Sequence, residues 1–537
     1  MRREADLLPR YFDTIERYFG KVGVMIDVVI IDTDEGIDVK QEDGSTVHKP
    51  YDDSVTIAVA RGAKVVSVGD KYIYVYKREA VRKVNNEIGG DLVKAGQRVF
   101  KFDQARNHAN DLAETDWCLS LDICDVIDYV DPICLVKSME AADAANNALL
   151  AREYANEQEK QNIYAKCCWG YTYKLLYGPL EMSNPLIQST TKFYNRNLPE
   201  GRWRCHVHEV YSAIGTPRTI KKTAEGQDAL VVRHAQRAGT IHSYIPGLAY
   251  AFLIASPGSE QDKARLRYYF AREMYYRGWH GNHLGTNGAK KYLAQVCDCK
   301  YNWIKERSAS ACHLADCWET LKKPLEDHPD NNTEVVTGIK TEAIMERRRL
   351  AYIRSINLHA GWREPYLKLA GLAWEQEDYS GCIAYAEEAL KVPRPEEMLF
   401  AEADRNYSTE PYRLIYIGAT RLANRQFEVG QDGMPWLKRA LAVEDDSGGD
   451  GAMLAYGWRL AYVNFHKTDK DLARQYFDKC YMFDRAAYEP DRHFFYGNQV
   501  KVEKLMASSE EAVGDAYKKN KLLLLKQRQK KPAPQTK

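Results

Sequence analysis

The stretch from Val99 to Val130, VFKFDQARNHANDLAETDWCLSLDICDVIDYV, decides the fold. Phe100 and Phe102 alternate with polar neighbours, the pattern of a short half-buried strand. Ala105 to Ala113 has helix-forming composition. Trp117, Cys118, Leu119 and Leu121 then make an apolar run suited to a buried strand. Strand, helix and strand in that order point to an α/β sheet, whose ligands sit beyond the carboxyl ends of its strands. Asp122 and Asp125 follow where the run stops. Acids there either hold a divalent cation, which can neutralise a departing diphosphate, or cap a turn or a helix start. Spacing alone leaves both readings open.

Composition sets outer limits. A chain of 537 residues implies roughly two to four domains. With 45% hydrophobic and 28% charged residues it has ordinary globular composition, and a net charge of +1 gives no general argument for nucleic-acid binding. The 36 tyrosines fit a carbohydrate-stacking surface or packing between helical repeats equally well. Twelve cysteines show no disulfide-like spacing. Without a leader-like start, and with no apolar run near the ~18 residues that span a bilayer, a reducing cytosol and no membrane are expected. Cys297, Cys299, Cys312, His313 and Cys317 form the tightest thiol group, but C-x-C lacks the two-residue knuckle spacing of most zinc sites.

Working outward, Leu7 to Phe19 places Leu8, Tyr11, Phe12, Ile15 and Phe19 on one helical face. Val28 to Ile31 reads as a buried strand running into Asp32-Thr33-Asp34. Ser54 to Gly62 fits a helix with a glycine cap, and Ala63 to Val68 a third strand. Ala141 to Gln161 reads as a helix, Gly170 to Tyr177 as a strand. Lys192 to Tyr194, Trp203 to Val210 and Val231 to His234 carry further strand character. From about Asp262 helical patterns dominate. Gly361 to Val392 has Leu369-Ala370, Cys382 and Ala389 at spacings of 12 and 7, the small-residue positions of a tetratricopeptide repeat. Leu460-Ala461, Ala473 and Cys480 repeat those spacings, with Gly418 and Ala440 as a stretched unit between. Arg267 to Tyr292 and Trp303 to Trp318 read as degenerate earlier units. Tyr517 to Lys537 reads as a frayed helix and a disordered basic tail.

Several of these motifs resemble family-2 glycosyltransferases with the GT-A fold, which transfer a sugar from a nucleotide donor. Ala105-Arg106-Asn107 matches the family's ARN helix start. Leu121-Asp122-Ile123-Cys124-Asp125 is similar to its L-D-A-D-E strand end, with Cys124 where the second acid stands and Asp125 on the final one. Asp32 falls on the first acid of the D-T-G-S-T-D element, Gly62-Ala63-Lys64 on the G-A-K element, and Val207-His208-Glu209 on the V-H-E motif. Arg363-Glu364-Pro365-Tyr366 with Leu369-Ala370 looks like a turn of tail-bearing bacterial and phage members. Arg2-Arg3-Glu4 resembles the family's K-N-E, without the strand that usually precedes it. The KYIYVYK portion of Lys71 to Gly96 is a candidate replacement for that strand.

The resemblance implies an α/β, GT-A-like domain with a mixed sheet flanked by helices over residues 1–255. All-α tetratricopeptide-like repeats follow over 256–515 and a basic tail over 516–537. It implies metal-assisted, inverting transfer from a nucleoside-diphosphate sugar, with a UDP-sugar favoured, to a glycan, a protein or a modified DNA base. Glu209 would be the general base. Glu4, Asp32, Asp103, Arg106 and Asp122 would bind the donor, and Asp122, Asp125 and His208 would hold Mn²⁺ or Mg²⁺. The thiol of Cys124 is a poor ligand for such a hard ion. Arg233 would balance donor phosphates or form an ion pair. The cytoplasm is implied as the compartment, that of a bacterial host if the chain is phage-encoded, with oligomerisation through the repeats. The rival readings are an inactive scaffold of the same fold and a repeat-mediated protein-binding module.

Overall fold

The computed structural model describes residues 5–20, 26–33, 37–41, 45–49, 51–178, 186–198, 200–213, 215–220, 222–223, 225–235, 244–255, 258–281, 288–320, 339–394, 404–449, 451–465, 468–484 and 487. By contacts the chain divides into two units, Met1–Tyr366 with Val392–Ala403, and Leu367–Lys391 with Asp404–Lys537.

In the first unit, α1 (Leu8–Phe19) buries Leu8, Tyr11, Phe12 and Phe19, the face that 3.6-residue periodicity selects. β1 (Val29–Asp32) follows, then a hairpin of β2 (Ile37–Lys40) and β3 (Thr46–Lys49). α2 (Ser54–Ala60) leads through Gly62, at φ +81°, into β4 (Lys64–Ser67). That left-handed turn is where glycine avoids a Cβ clash. β4 pairs in parallel with β1. β5 (Ile73–Val75), α3 (Arg78–Ile88) and β6 (Arg98–Phe100) come next, with β5 antiparallel to β6. The KYIYVYK segment therefore pairs with β6 in a sheet of two and is not a replacement strand for the main sheet. Phe102 opens α4 (Phe102–Leu112), so the Phe100/Phe102 alternation is the last step of a strand meeting the first of a helix, their rings edge to face at 4.7 Å.

The main sheet is mixed. It contains β7 (Trp117–Leu119), β8 (Asp125–Val130), β9 (Cys168–Tyr177), β10 (Leu186–Asn195), β13 (Thr216–Thr219) and β14 (Leu230–His234), in the order β7-β10-β9-β14-β8 with β13 on β9. β11 (Arg202–Arg204) and β12 (Val210–Ser212) form a separate hairpin. α5 (Pro132–Leu150) and α6 (Glu157–Tyr164) occupy the region expected to be one helix; Asn156 caps α6 by accepting from Glu159 N. One core packs Phe19, Leu135 and Ala142 of the helices against Ile127, Tyr173, Phe193 and Val232 of the sheet. A second gathers Val84, Val207, Leu248, Phe270, Met274 and Leu293, uniting α3, the β11–β12 loop, α7 (Ile245–Ala249), α8 (Glu260–Tyr276) and α9 (Gly288–Asp298). By contacts, then, α8, α9 and α10 (Ile304–Glu319) belong to the unit that holds the sheet.

The second unit is made of tetratricopeptide-like helix pairs. Helix Tyr379–Lys391 packs on Glu410–Glu428, and Gly451–Phe465 on Lys470–Phe483. Ala370, Cys382, Ala389, Ala440, Ala461, Ala473 and Cys480 are all at 0% exposure, as helices packed through small residues require. A Cβ on Gly457 would collide with the Tyr416 hydroxyl. Among the described residues no helix is long and apolar enough to cross a membrane.

Candidate functional site

Three separated motifs meet on one side chain. Arg106 projects from α4, whose first turn carries Asp103. Its Nη2 donates to Asp122 Oδ1 at 2.6 Å and its Nε to Glu209 Oε1 at 2.7 Å. Its Nη1 donates to Ser120 Oγ, and the guanidinium lies 4.9 Å from the centre of the Trp203 ring. Arg106 and Glu209 are each 13% exposed, so both charges are largely withdrawn from water and held by each other. Lys192, the one charged residue of β10, donates to Asp122 Oδ2 at 3.1 Å. Burial pushes the Asp122 carboxyl up, but Lys192 and then Arg106 outweigh it and hold the group well below the usual carboxylate range.

Asp122 and Asp125 frame the turn between β7 and β8. Asp125 N donates to Asp122 O and Asp122 N donates to Asp125 Oδ2, both at 2.8 Å. Asp125, 2% exposed, is the first residue of β8. Its Oδ1 lies 2.7 Å from His234 Nδ1 at the end of β14, and Cys124 Sγ lies 3.5 Å from the same nitrogen. Burial lowers the His234 pKa, but the hydrogen bonds to Asp125 and then Cys124 raise it to about 10.

His208 is placed elsewhere. Cys205 and His208 take φ of +68° and +53°, so the segment between β11 and β12 is an irregular loop, not a strand presenting alternate faces. The His208 ring stacks on Tyr269 at 4.1 Å, and its enclosed Nε2 has no hydrogen-bond partner among the described residues. Burial, then Arg272 and Arg265, lower its pKa well below the ordinary value and keep it neutral. His206 turns to Asp103, Nδ1 to Oδ1 at 2.7 Å. Asp32, 4% exposed, accepts from Ser67 Oγ at 2.9 Å across the β1–β4 pair. Arg233 pairs with Asp128 at 2.8 Å rather than standing ready for a phosphate. Glu4 lies outside the described residues.

The Mg²⁺ or Mn²⁺ implied by the resemblance does not fit this arrangement. Both Asp122 oxygens are taken by cations, both Asp125 oxygens by Asp122 N and His234, and Asp122, Asp125 and His208 do not converge on one point. The three residues among those described whose donor atoms lie within 4.8 Å of one another are Cys124, Asp125 and His234. A thiol with an imidazole suits a zinc-class ion, not a hard one. Cys297, Cys312 and Cys317 are buried, and His313 stacks on Tyr275 at 4.3 Å.

The contributions of Lys192, Ser120 and Trp203 are absent from the sequence reading. For Lys192 a signal existed, a lone charge in a strand that is otherwise apolar or neutral. Nothing local marks Ser120.

No protein-family model and no curated protein matches this chain. Similar solved structures include the MamA protein, at 10% identity and TM-score 0.25 over 44% of this chain and 97% of that one. Another is YrrB, described as a TPR protein with an unusual peptide-binding site, at 12% identity and TM-score 0.27 over 44% of this chain and 93% of that one. A MamA RS-1 ArsTM double mutant follows, at 13% identity and TM-score 0.25 over 43% of this chain and 97% of that one. Scores at this level carry no weight, and the helix-pair assignment rests on the buried small residues described above.

Proposed function

We propose that the first unit transfers a glycosyl group from a nucleoside-diphosphate sugar, of which a UDP-sugar is the leading candidate. One observation carries the reading: Arg106 of the ARN motif bonds both Asp122 of the acidic turn and Glu209 of the V-H-E motif. The resemblance required those motifs to share a site, and they lie 16 and 103 residues from Arg106 in the chain. In this reading Glu209 removes the acceptor proton. Arg106 fixes one of its oxygens, and Oε2 makes no hydrogen bond among the described residues, so it is available to the acceptor hydroxyl. Asp122, kept ionised by Lys192 and Arg106, positions those two cations, and Arg106 and Lys192 offer positive charge to the departing diphosphate. No step runs through a metal ion.

A second reading has its own support. The positive charges of Arg106, Lys192 and His234 are matched by Asp122, Glu209 and Asp125, which leaves no net charge for a diphosphate. A domain of this kind that has lost donor binding would serve as a scaffold, with the helix pairs as its protein-binding part. Calorimetric titration of the full chain with UDP-, GDP- and dTDP-sugars separates the two. Saturable heat with one donor, unchanged by chelator and lost in Asp122→Asn, supports transfer. Absence of heat with every donor, with or without added Mn²⁺ or Zn²⁺, supports the scaffold.

A further inference from the structure

Cys124, Asp125 and His234 bring a sulfur, an oxygen and a nitrogen together at one end of the main sheet, with these ligand atoms all within 4.8 Å of one another. Backbone pairing sets this up. His234, the last residue of β14, stands opposite Asp125, the first of β8, in their antiparallel ladder. Ala235 N donates to Cys124 O at 3.1 Å, so the two segments stay joined one residue beyond that pair. Asp122 N donates to Asp125 Oδ2, which leaves Oδ1 turned toward the imidazole. The His234 ring also meets Tyr177 of β9 edge to face, with centroids 5.5 Å apart. Donors held in this way by paired strands suit a preformed site.

The separations fit a tetrahedral shell. Zinc bonds of about 2.3 Å to sulfur and about 2.0 Å to nitrogen set those two atoms about 3.5 Å apart. Cys124 Sγ lies 3.5 Å from His234 Nδ1. Asp125 Oδ1 lies 2.7 Å from the same nitrogen. Oxygen and nitrogen ligands of zinc stand about 3.3 Å apart, so these two atoms must part by about half an ångström. One carboxylate beside a thiol and an imidazole supplies too few oxygens for Mg²⁺ or Mn²⁺.

We propose that Cys124, Asp125 and His234 form a binding site for one zinc-class ion. The site differs in ligands and in place from the hard-ion set of Asp122, Asp125 and His208. Uptake exchanges the thiol proton of Cys124 and the imidazolium proton of His234 for the ion, which leaves thiolate, neutral imidazole and carboxylate as its ligands. Three protein ligands leave a fourth position for water. Bound there, the ion ties the turn between β7 and β8 to the end of β14. This inference stands apart from the sugar-transfer reading, which routes no step through these three residues.

The test is a titration of the full chain, reduced and stripped by a chelator that is then removed, with Co²⁺. One Co²⁺ per chain should bind saturably and show the sulfur-to-cobalt charge-transfer absorption of a thiolate ligand. Equimolar Zn²⁺ should bleach that band, and Mg²⁺ in large excess should not. Zn²⁺ should raise the Tm of the wild type by about 4 °C. Cys124→Ser should abolish the band and weaken Zn²⁺ at least tenfold, while far-UV circular dichroism stays native. His234→Gln, which removes a different ligand, should weaken both ions likewise. An unchanged band in Cys124→Ser overturns the proposal in favour of other thiols. Displacement of Co²⁺ by Mg²⁺ as readily as by Zn²⁺ overturns it in favour of a hard-ion site. No uptake by the wild type overturns it and leaves Asp125 and His234 as a plain ion pair.

Discussion

His208 lies in the loop between β11 and β12, its ring flat against Tyr269, with the charges of Arg272 and Arg265 acting on it. His234 lies at the end of β14, with Asp125 at 2.7 Å and Cys124 beside it. Burial acts on both rings in the same direction, against the proton. A carboxylate reverses that outcome for His234, and two guanidiniums reinforce it for His208. The V-H-E resemblance singled out His208 as the metal and diphosphate contact. The structure gives the acid-linked position to His234 instead. Motif position selects the residue type, and the neighbour brought by the fold selects its charge.

The sharpest way to break this contrast is at Arg106, which through Asp122 is tied to the turn that holds His234. Arg106→Ala leaves Glu209 buried without its cation, and thermal melts should show a loss of about 3 kcal/mol. Arg106→Lys should recover only part, since one ammonium cannot reproduce a planar fork reaching three acceptors. A loss indistinguishable from that of an exposed arginine would show that the network contributes little. Asp125→Asn should turn His234 into a second His208. Its ring, still buried but without the carboxylate, should titrate below pH 7 by NMR instead of near 10, at a stability cost of about 2 kcal/mol. Persistence of the protonated ring at pH 8 would place its charge with Cys124 rather than Asp125. The smallest effect is at His208. Its folded pKa is depressed, so the unfolded chain binds the proton more readily, and stability is present at neutral pH and lost as pH falls through about 6.5. Tm should therefore drop between about pH 6.5 and pH 5, where the contribution of His234 is constant, and His208→Phe should flatten that slope. His234 has the opposite sign: its raised pKa gives stability fully present below about 6.5 and lost as pH rises through about 10.

Local periodicity explains what was legible. The buried face of α1, the strand ending at Asp32 and the small residues of the helix pairs are set by spacing within a few turns or strand steps. Arg106, Asp122 and Glu209 were named from short motifs, and the fold brings their charged ends into contact. What stayed hidden depends on distant chain. Lys192 reaches Asp122 across 70 residues and occupies the oxygen a metal would need. The positive φ of Cys205 and His208 carries no glycine or asparagine to announce it, so a strand was the natural reading of that segment. The partner of KYIYVYK is likewise a matter of tertiary pairing, since an apolar alternating run fits any sheet edge.

The central claim is that one guanidinium assembles a sugar-transfer site, with Glu209 as its base. The direct measurement is turnover of UDP-, GDP- and dTDP-sugars by the full chain, in chelator, for wild type and Glu209→Gln. The account predicts slow release of one nucleoside diphosphate by the wild type and a loss of about 10²-fold or more in the variant, whose melting curve stays cooperative. Equal release by both proteins, or none from any donor by the wild type, would contradict it.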